Sequence, residues 1–341
     1  MVRAIRTGVR RRIVGEEYGH PLPRCQRRAS LGSSRWLPTA FLLVMGFWGC
    51  APPDRPASLP GSLPEEVLDL IQPHDVRALS AGPGTAYFGL RAARGPWSIH
   101  LLRVDLNRCD LGLEVLRAPK AQDLPGGRSR VTELFGEGEG GMVAAINGDF
   151  FTPEGLPVGT EVVEGDVRRV RGRPAFAWRP GGPPWMGIPA AEGDSMVLVG
   201  WRIPRGAADG ASQVVGGFPL LLDDGERVGD LLVNDNPSFA AARHPRTAVG
   251  FDPDQGHLWM VGVDGRQANY SDGMTLPELA SLLEALGTTD AVNLDGGGST
   301  VMVLQGVAVS RPSDADGERP VVNALAVVRD PAFCRIGPVG R

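Results

Sequence analysis

A chain of 341 residues, 42% hydrophobic and 22% charged, has the composition of a globular protein with a sizeable core. The formal charge of −4 hides an asymmetry: residues 1–50 carry nine arginines against two acidic residues, about +7, which leaves the remainder near −11. An acidic remainder makes nucleic acid a poor partner, and 47 glycines with 30 prolines favour short strands and loops over a helical bundle.

The basic leader runs into the apolar stretch Leu37 to Cys50, LPTAFLLVMGFWGC. It is too short to span a bilayer, which takes about 20 residues, and reads as an export signal. Gly49-Cys50 followed by a Pro/Ser-rich stretch resembles a bacterial lipoprotein signal, with Cys50 as the residue that would carry lipid and anchor the chain to a membrane. The charged part before Trp36 is long for such a signal, so translation is expected to start downstream of Met1. The expected divisions are a signal over 1–50, a tether over 51–63, a lead-in over 64–94, one domain over 95–330 and a tail over 331–341. Cys25 would leave with the signal and Cys50 would be modified, so a Cys109–Cys334 disulfide is the pairing open to an exported chain. The cysteines and histidines show no metal-binding spacing.

In chain order, LPEEVLDLIQ (63–72) reads as a short helix, and AYFGLR, WSIHLLRVDL and LGLEVLRA read as strands. SRVTELF (129–135) reads as a helix and MVAAIN (142–147) as a buried strand with a polar end. Residues 152–240 break into short strands at Gly/Pro corners. RTAVGFDPDQGHLWMVGVDG is a hairpin with its turn over 252–256. TLPELASLLEALG is the clearest helix: Thr275 and Glu278 form a capping box, five leucines make one stripe, and Gly287 closes it. Strands at 291–294, 300–304 and 321–328 complete an α+β fold, a single domain with mainly antiparallel β-sheets and a few helices.

Polar groups cluster where apolar strands end. AVNLDGGGSTVMV places Asn293, Asp295, Gly296, Gly297, Gly298, Ser299 and Thr300 between two buried runs. There is no lysine and no phosphate-loop spacing, so a nucleotide site is not indicated. AAINGDFF ends a strand in Asn147 and Asp149 with Phe150 beside them, an amide, a carboxylate and an aromatic wall suited to a sugar ring. Arg246 opens a strand in HPRTAVG, and a guanidinium pairs well with phosphate oxygens. Gly217 in VGGFPLLLDDG and Asp264 in VDGR lie at further glycine-flanked strand ends.

Taken in order, AINGDFF, VGGFPLLLDDG, RTAVGFD, the long block from VDGR to VMV, and RPVVNALAVV resemble the blocks of the phosphodiester glycosidase family over roughly 95–330. Asp149 and Phe218 stand where that family often has glycine. The resemblance implies hydrolysis of the C1–O bond of a sugar-1-phosphodiester or phosphoglycan, and bacterial members are often exported to the cell envelope. In that reading Asp295 is nucleophile or general base, Asp149 a second carboxylate or a sugar ligand, and Arg246 the anion clamp. Asn147 would hold sugar hydroxyls, Ser299, Thr300 and the amides of Gly296 to Gly298 would donate to the anion, and Glu161 is an alternative second carboxylate. No motif demands a cofactor; Asp264, Asp295 and Asn293 are hard oxygen donors that suit a divalent cation. The competing readings are a metal-assisted phosphodiesterase and a non-catalytic phosphoglycan-binding module.

Overall fold

The computed structural model describes residues 62–336 apart from 121–125, 139, 193–194, 199–200, 205–211, 230 and 232–235. The expected signal with its lipid-bearing Cys50, and the tether as far as residue 61, lie outside the described residues. No helix among the described residues is long and apolar enough to cross a membrane.

The chain opens with helix α1 (Glu65–Ile71) and strands β1 (Asp75–Gly82), β2 (Thr85–Ala92), β3 (Trp97–Asp105) and β4 (Leu111–Arg117). Helix α2 (Val131–Glu137) and β5 (Met142–Asn147) follow. The first three strands form one end of an eight-stranded sheet, continued by strands 257–263, 246–252, 290–293, 220–223 and 226–227. Every pairing in this sheet is antiparallel. Within 64–94, β1 and β2 thus belong to the main sheet, and α1 packs against it. What hid β1 is its exposure: five successive residues face water, so no apolar alternation marks it.

A five-stranded sheet stacks on this one, in the order 307–308, 302–304, β5, 323–329, β4. Two smaller sheets, over 161–216 and 190–204, complete the strands. Alternation along each strand builds the layers. Ile99 and Leu101 of β3 face the core under α1, α3 (Pro237–Ala241) and α4 (Leu276–Ala285). Leu102 and Val104 face the core between the sheets, with Ile146, Phe176, Met302 and Leu325. Ala324, Ala326 and Val328 lie on the outer side of the second sheet, where Val131 and Leu134 of α2 cover them. The order is helix, sheet, sheet, helix.

Local chemistry fixes the parts as expected from sequence. In α4 the Thr275 hydroxyl accepts the Glu278 N–H at 3.2 Å and the Glu278 carboxylate accepts the Thr275 N–H at 2.9 Å, a reciprocal cap contributing about 1 kcal/mol. Gln305 and Gly306, at φ 48° and 83°, turn the chain between Leu304 and Val307 as a two-residue hairpin loop requires. Cys109 and Cys334 are joined by a disulfide that ties the short helix 331–335 to the loop before β4.

Candidate active site

Three strand ends meet where the sheets part. The Asn147 side chain at the end of β5 stitches them together. Its Nδ2 donates to the Asp295 carbonyl at 2.6 Å, while its Oδ1 accepts the Thr247 hydroxyl at 2.7 Å and the Val301 N–H at 3.2 Å. Asn147 is fully buried, so it builds the corner instead of facing a ligand. Thr300 does the same, accepting the Thr247 hydroxyl at 3.3 Å.

Asp149 lies two residues beyond β5 and is 1% exposed. Its N–H donates to Asn323 Oδ1 at 2.8 Å, and its Oδ2 accepts the Gly159 N–H at 2.6 Å. Oδ1 has no hydrogen-bond partner among the described residues. The backbone closes on the carboxyl at Gly159 and Gly216, where a Cβ would stand 2.9 and 2.6 Å from Oδ2. Burial pushes the Asp149 carboxyl up to about 7; the Gly159 amide and Arg173 oppose the rise, and the neighbouring charge of Asp295 adds to it.

Asp295 sits at the glycine corner, its N–H donating to the Gly148 carbonyl at 3.0 Å and its Oδ1 accepting the Gly296 N–H at 2.9 Å. Burial raises its carboxyl to about 6, against the pull of the Ser299 hydroxyl, the Gly296 amide, Arg319 and Arg266. Two interacting carboxyls, one buried and one partly buried, both raised above the usual carboxylate range, are an acid–base pair in form.

The surroundings are aromatic and cationic. Phe150 meets Phe239 edge-on at 6.1 Å, and the Arg173 guanidinium lies 4.7 Å from the Phe218 ring centre and 5.9 Å from that of Phe150. Arg266, at φ 56° in the turn after Asp264, brings its guanidinium to 3.0 Å from where a Gly297 Cβ would be. Its Nη2 lies 3.3 Å from His244 Nδ1. Among the described residues no carboxylate forms an ion pair with Arg266 or Arg173. Arg319 is engaged, holding Asp314 through two bonds of 2.8 and 3.0 Å.

Several expected site residues turn out to serve the frame. Arg246 is 1% exposed, and its Nε and Nη2 donate to the carbonyls of Met274, Phe239 and Ala242 at 2.8, 2.6 and 3.1 Å. Strand alternation is the reason: Arg246 and Ala248 point to the helical layer, Thr247 to the glycine corner. Burial, with Arg266 nearby, lowers the Arg246 guanidinium to about 10. Glu161 accepts from Arg117 at 2.9 Å and from Asn323 at 2.8 Å, and Asn323 in turn accepts the Asp149 N–H. The Asn293 Nδ2 donates to the Phe218 and Leu294 carbonyls, both at 2.7 Å, and fixes the corner at the cis Phe218-Pro219 bond. At Gly217 a Cβ would stand 2.6 Å from the Asn293 carbonyl oxygen, so the close approach of the two segments requires glycine. Two of the expected amide donors are committed, Gly296 to Asp295 and Gly297 to the Pro245 carbonyl. Asp264 is engaged by Ser98, His100, Tyr270 and the Arg311 N–H, so it shares no ligand set with Asp295 and Asn293. No group of three or more His, Cys, Asp or Glu side chains among the described residues is placed to hold a metal ion.

The sequence reading missed Arg173, His244, Arg266 and Asn323. Arg266 had a signal, the last position of VDGR at a glycine-flanked strand end. Arg173 and His244 sit in loops with no periodicity to mark them.

A family model described as phosphodiester glycosidase matches residues 140–328, more than half of the chain and all three strand ends. The chain belongs to the phosphodiester glycosidase family. Over 76 residues it is 41% identical to the N-acetylglucosamine-1-phosphodiester alpha-N-acetylglucosaminidase of Mus musculus, a match covering 22% of this chain and 14% of the mouse protein. This chain thus aligns with about one seventh of that relative's length. Two solved structures share the fold. A hypothetical protein from Synechocystis superposes with TM-score 0.58 at 18% identity, over 75% of this chain and 64% of the other. The zebrafish N-acetylglucosamine-1-phosphodiester alpha-N-acetylglucosaminidase catalytic domain, auto-inhibited by its pro-peptide, gives 0.50 at 22% identity, over 75% and 88%. Within the family frame, Asp149 and the Arg266 turn both fall inside the matched span.

Proposed function

We propose that this family member is an exported hydrolase that cleaves the C1–O bond of a sugar-1-phosphodiester, in a glycosyl phosphodiester or a phosphoglycan. The observation that carries the proposal is the Asp149–Asp295 pair, a buried and a partly buried carboxyl raised to about 7 and about 6 beside aromatic rings and arginines. Near neutral pH Asp149 holds its proton for much of the time and Asp295 is mostly ionised. Asp149 supplies a proton to the departing oxygen as the C1–O bond breaks. Asp295 acts at C1, either taking a proton from the incoming water or attacking C1 itself before water releases the sugar. The products are the free sugar and a phosphate monoester, and the anomeric form of the first sugar released tells the two routes apart.

Arg266, with His244 at its side, replaces Arg246 as the clamp on the phosphate. Phe150, Phe218 and Arg173 form the wall for the sugar. A divalent cation would bind through Asp295 and substrate oxygens, since Asp264 is engaged elsewhere; Asn293 is held through its Nδ2, and its Oδ1 has no hydrogen-bond partner among the described residues. Export is supported by the basic and apolar leader and by the Cys109–Cys334 disulfide, a bond that persists in oxidising compartments; a lipid on Cys50 would hold the enzyme at the membrane surface.

Hydrolysis of a panel of sugar-1-phosphodiesters in heavy-oxygen water tests the reading. Label in the sugar is the expected result. Label in the phosphate points to P–O cleavage, and binding without turnover across the panel points to a recognition module; either result removes the proposal.

A further inference from the structure

Near the Asp264 turn is a cavity of about 320 Å³, lined among others by Arg77, Tyr87, Arg91, Ser98, His100 and Tyr270. The strand register explains why it exists. Arg77 of β1, Gly89 of β2 and His100 of β3 are neighbours across the sheet, as are Asp75, Arg91 and Ser98. Tyr87, Gly89 and Arg91 alternate onto one face of β2. Gly89 leaves a notch there: a Cβ would already stand 3.0 Å from the Tyr87 hydroxyl. The cavity has space for roughly ten waters.

The inner wall is a hydrogen-bonded chain. The Tyr87 hydroxyl lies 2.7 Å from His100 Nδ1, and His100 Nε2 lies 2.9 Å from Asp264 Oδ2. Ser98 and Tyr270 donate to the same oxygen at 2.9 and 3.2 Å, and the Arg311 N–H donates to Oδ1 at 2.8 Å. The buried carboxyl is thus enclosed by donors, which fix its orientation at the inner wall, away from the arginines at the mouth. The mouth is cationic. Arg91 stacks on the Tyr270 ring at 3.9 Å, with Arg311 over the same ring at 4.8 Å. Stacking holds the guanidinium by its face and leaves its N–H edge for a ligand. Among the described residues no carboxylate forms an ion pair with Arg91 or Arg311. Arg77 is 3.5 Å from Asp75, both of them well exposed, an ion pair worth little in water.

We propose that this cavity is a second anion site, which takes a phosphoryl group between Arg77 and Arg91. The phosphoryl group has two sources, the next phosphate of the same phosphoglycan chain or free inorganic phosphate. The chain source rests on the function proposed above; the anion site itself does not. Asp75 is the competitor that an incoming anion must displace from Arg77. Asp264 links the site to the catalytic corner, because Arg266 follows it by two residues.

The test uses the full chain carrying Arg266→Gln, so that the catalytic clamp contributes nothing, titrated calorimetrically with inorganic phosphate. Saturable phosphate binding is expected to survive in that background. Arg91→Ala is expected to weaken it at least tenfold, Arg91→Lys to restore part of the loss, and Asp75→Asn to tighten it. If Arg91→Ala fails to fold, the exposed Arg77→Gln takes its place with the same expectation of weakening. Binding that disappears with Arg266→Gln alone, or that ignores the Arg91, Arg77 and Asp75 changes, overturns the site. With wild-type protein, a lower KM for a substrate carrying two phosphodiesters than for one carrying a single phosphodiester assigns the chain source. Equal KM values assign free phosphate.

Discussion

Two buried carboxyls, Asp264 and Asp149, sit at strand ends in the same sandwich and are built to opposite purposes. Asp264 receives four donors, from Ser98, His100, Tyr270 and the Arg311 backbone. Asp149 has backbone amides alone, Gly159 at 2.6 Å on Oδ2 and a weaker pull from Phe150, and its Oδ1 lacks a side-chain partner among the described residues. Both are 1% exposed, so burial does not separate them. Completion of the hydrogen-bonding shell does: the side chains around Asp264 are tied to one another through it, whereas Asp149 has no side-chain donor among the described residues. Arg246 and Arg266 repeat the lesson, one spent on three carbonyls and the other poised over the glycine corner.

The largest effect that separates the two carboxyls is on turnover. Asp295→Asn and Asp149→Asn should each lower kcat about 10²–10⁴-fold with the fold intact. Asp264→Asn should instead lower thermal stability, because it places an amide among donors that need an acceptor. Equal stability losses at all three positions, measured by calorimetry beside the kinetics, would make Asp149 and Asp295 frame residues as well.

Smaller, but still decisive, is the contrast between the arginines. Arg266→Gln is expected to raise KM for a phosphodiester while sparing the melting temperature. Arg246→Gln is expected to cost about 1–3 kcal/mol of stability for the carbonyls it strands. Denaturation and kinetics on the same two proteins check this, and a reversed pattern would return the clamp to Arg246.

Asp149 also predicts a pH-dependent stability difference. Its carboxyl rises from 3.8 to about 7 on folding, so the folded chain holds this proton more tightly than the unfolded one. The stability it contributes is complete below about pH 4 and fades as pH climbs to about 7. Asp149→Asn, which keeps an acceptor for the Gly159 N–H, should therefore gain on wild type over that window and level off above it, by up to about 4 kcal/mol if the whole shift is realised. Melting curves at pH 4, 6 and 8 read the difference. A gap that does not change with pH contradicts the raised value.

The sequence made the frame legible because strands and caps leave local signatures. The Thr275 capping box, the Gln305-Gly306 turn and the hairpin 246–263 all depend on neighbours in sequence. The site was legible as a set of strand ends, and Asn147, Asp149 and Asp295 do converge. Which face each side chain takes was not legible. It depends on register, and that sends Arg246 to the helices and brings Asn323, 174 positions from Asp149, onto its backbone. Arg173 was hidden for the same reason: its role is defined by Phe150 and Phe218, which only the fold brings to it.

The central claim is that Asp149 and Asp295 act together on one glycosidic bond. The pH dependence of kcat/KM on a cleavable sugar-1-phosphodiester tests it most directly, compared between wild type and Asp149→Asn. The account predicts a bell for wild type, rising through about 6 as Asp295 ionises and falling through about 7 as Asp149 loses its proton, with the falling limb absent from the variant's residual activity. A falling limb that survives the substitution unchanged would show that the acid is another group.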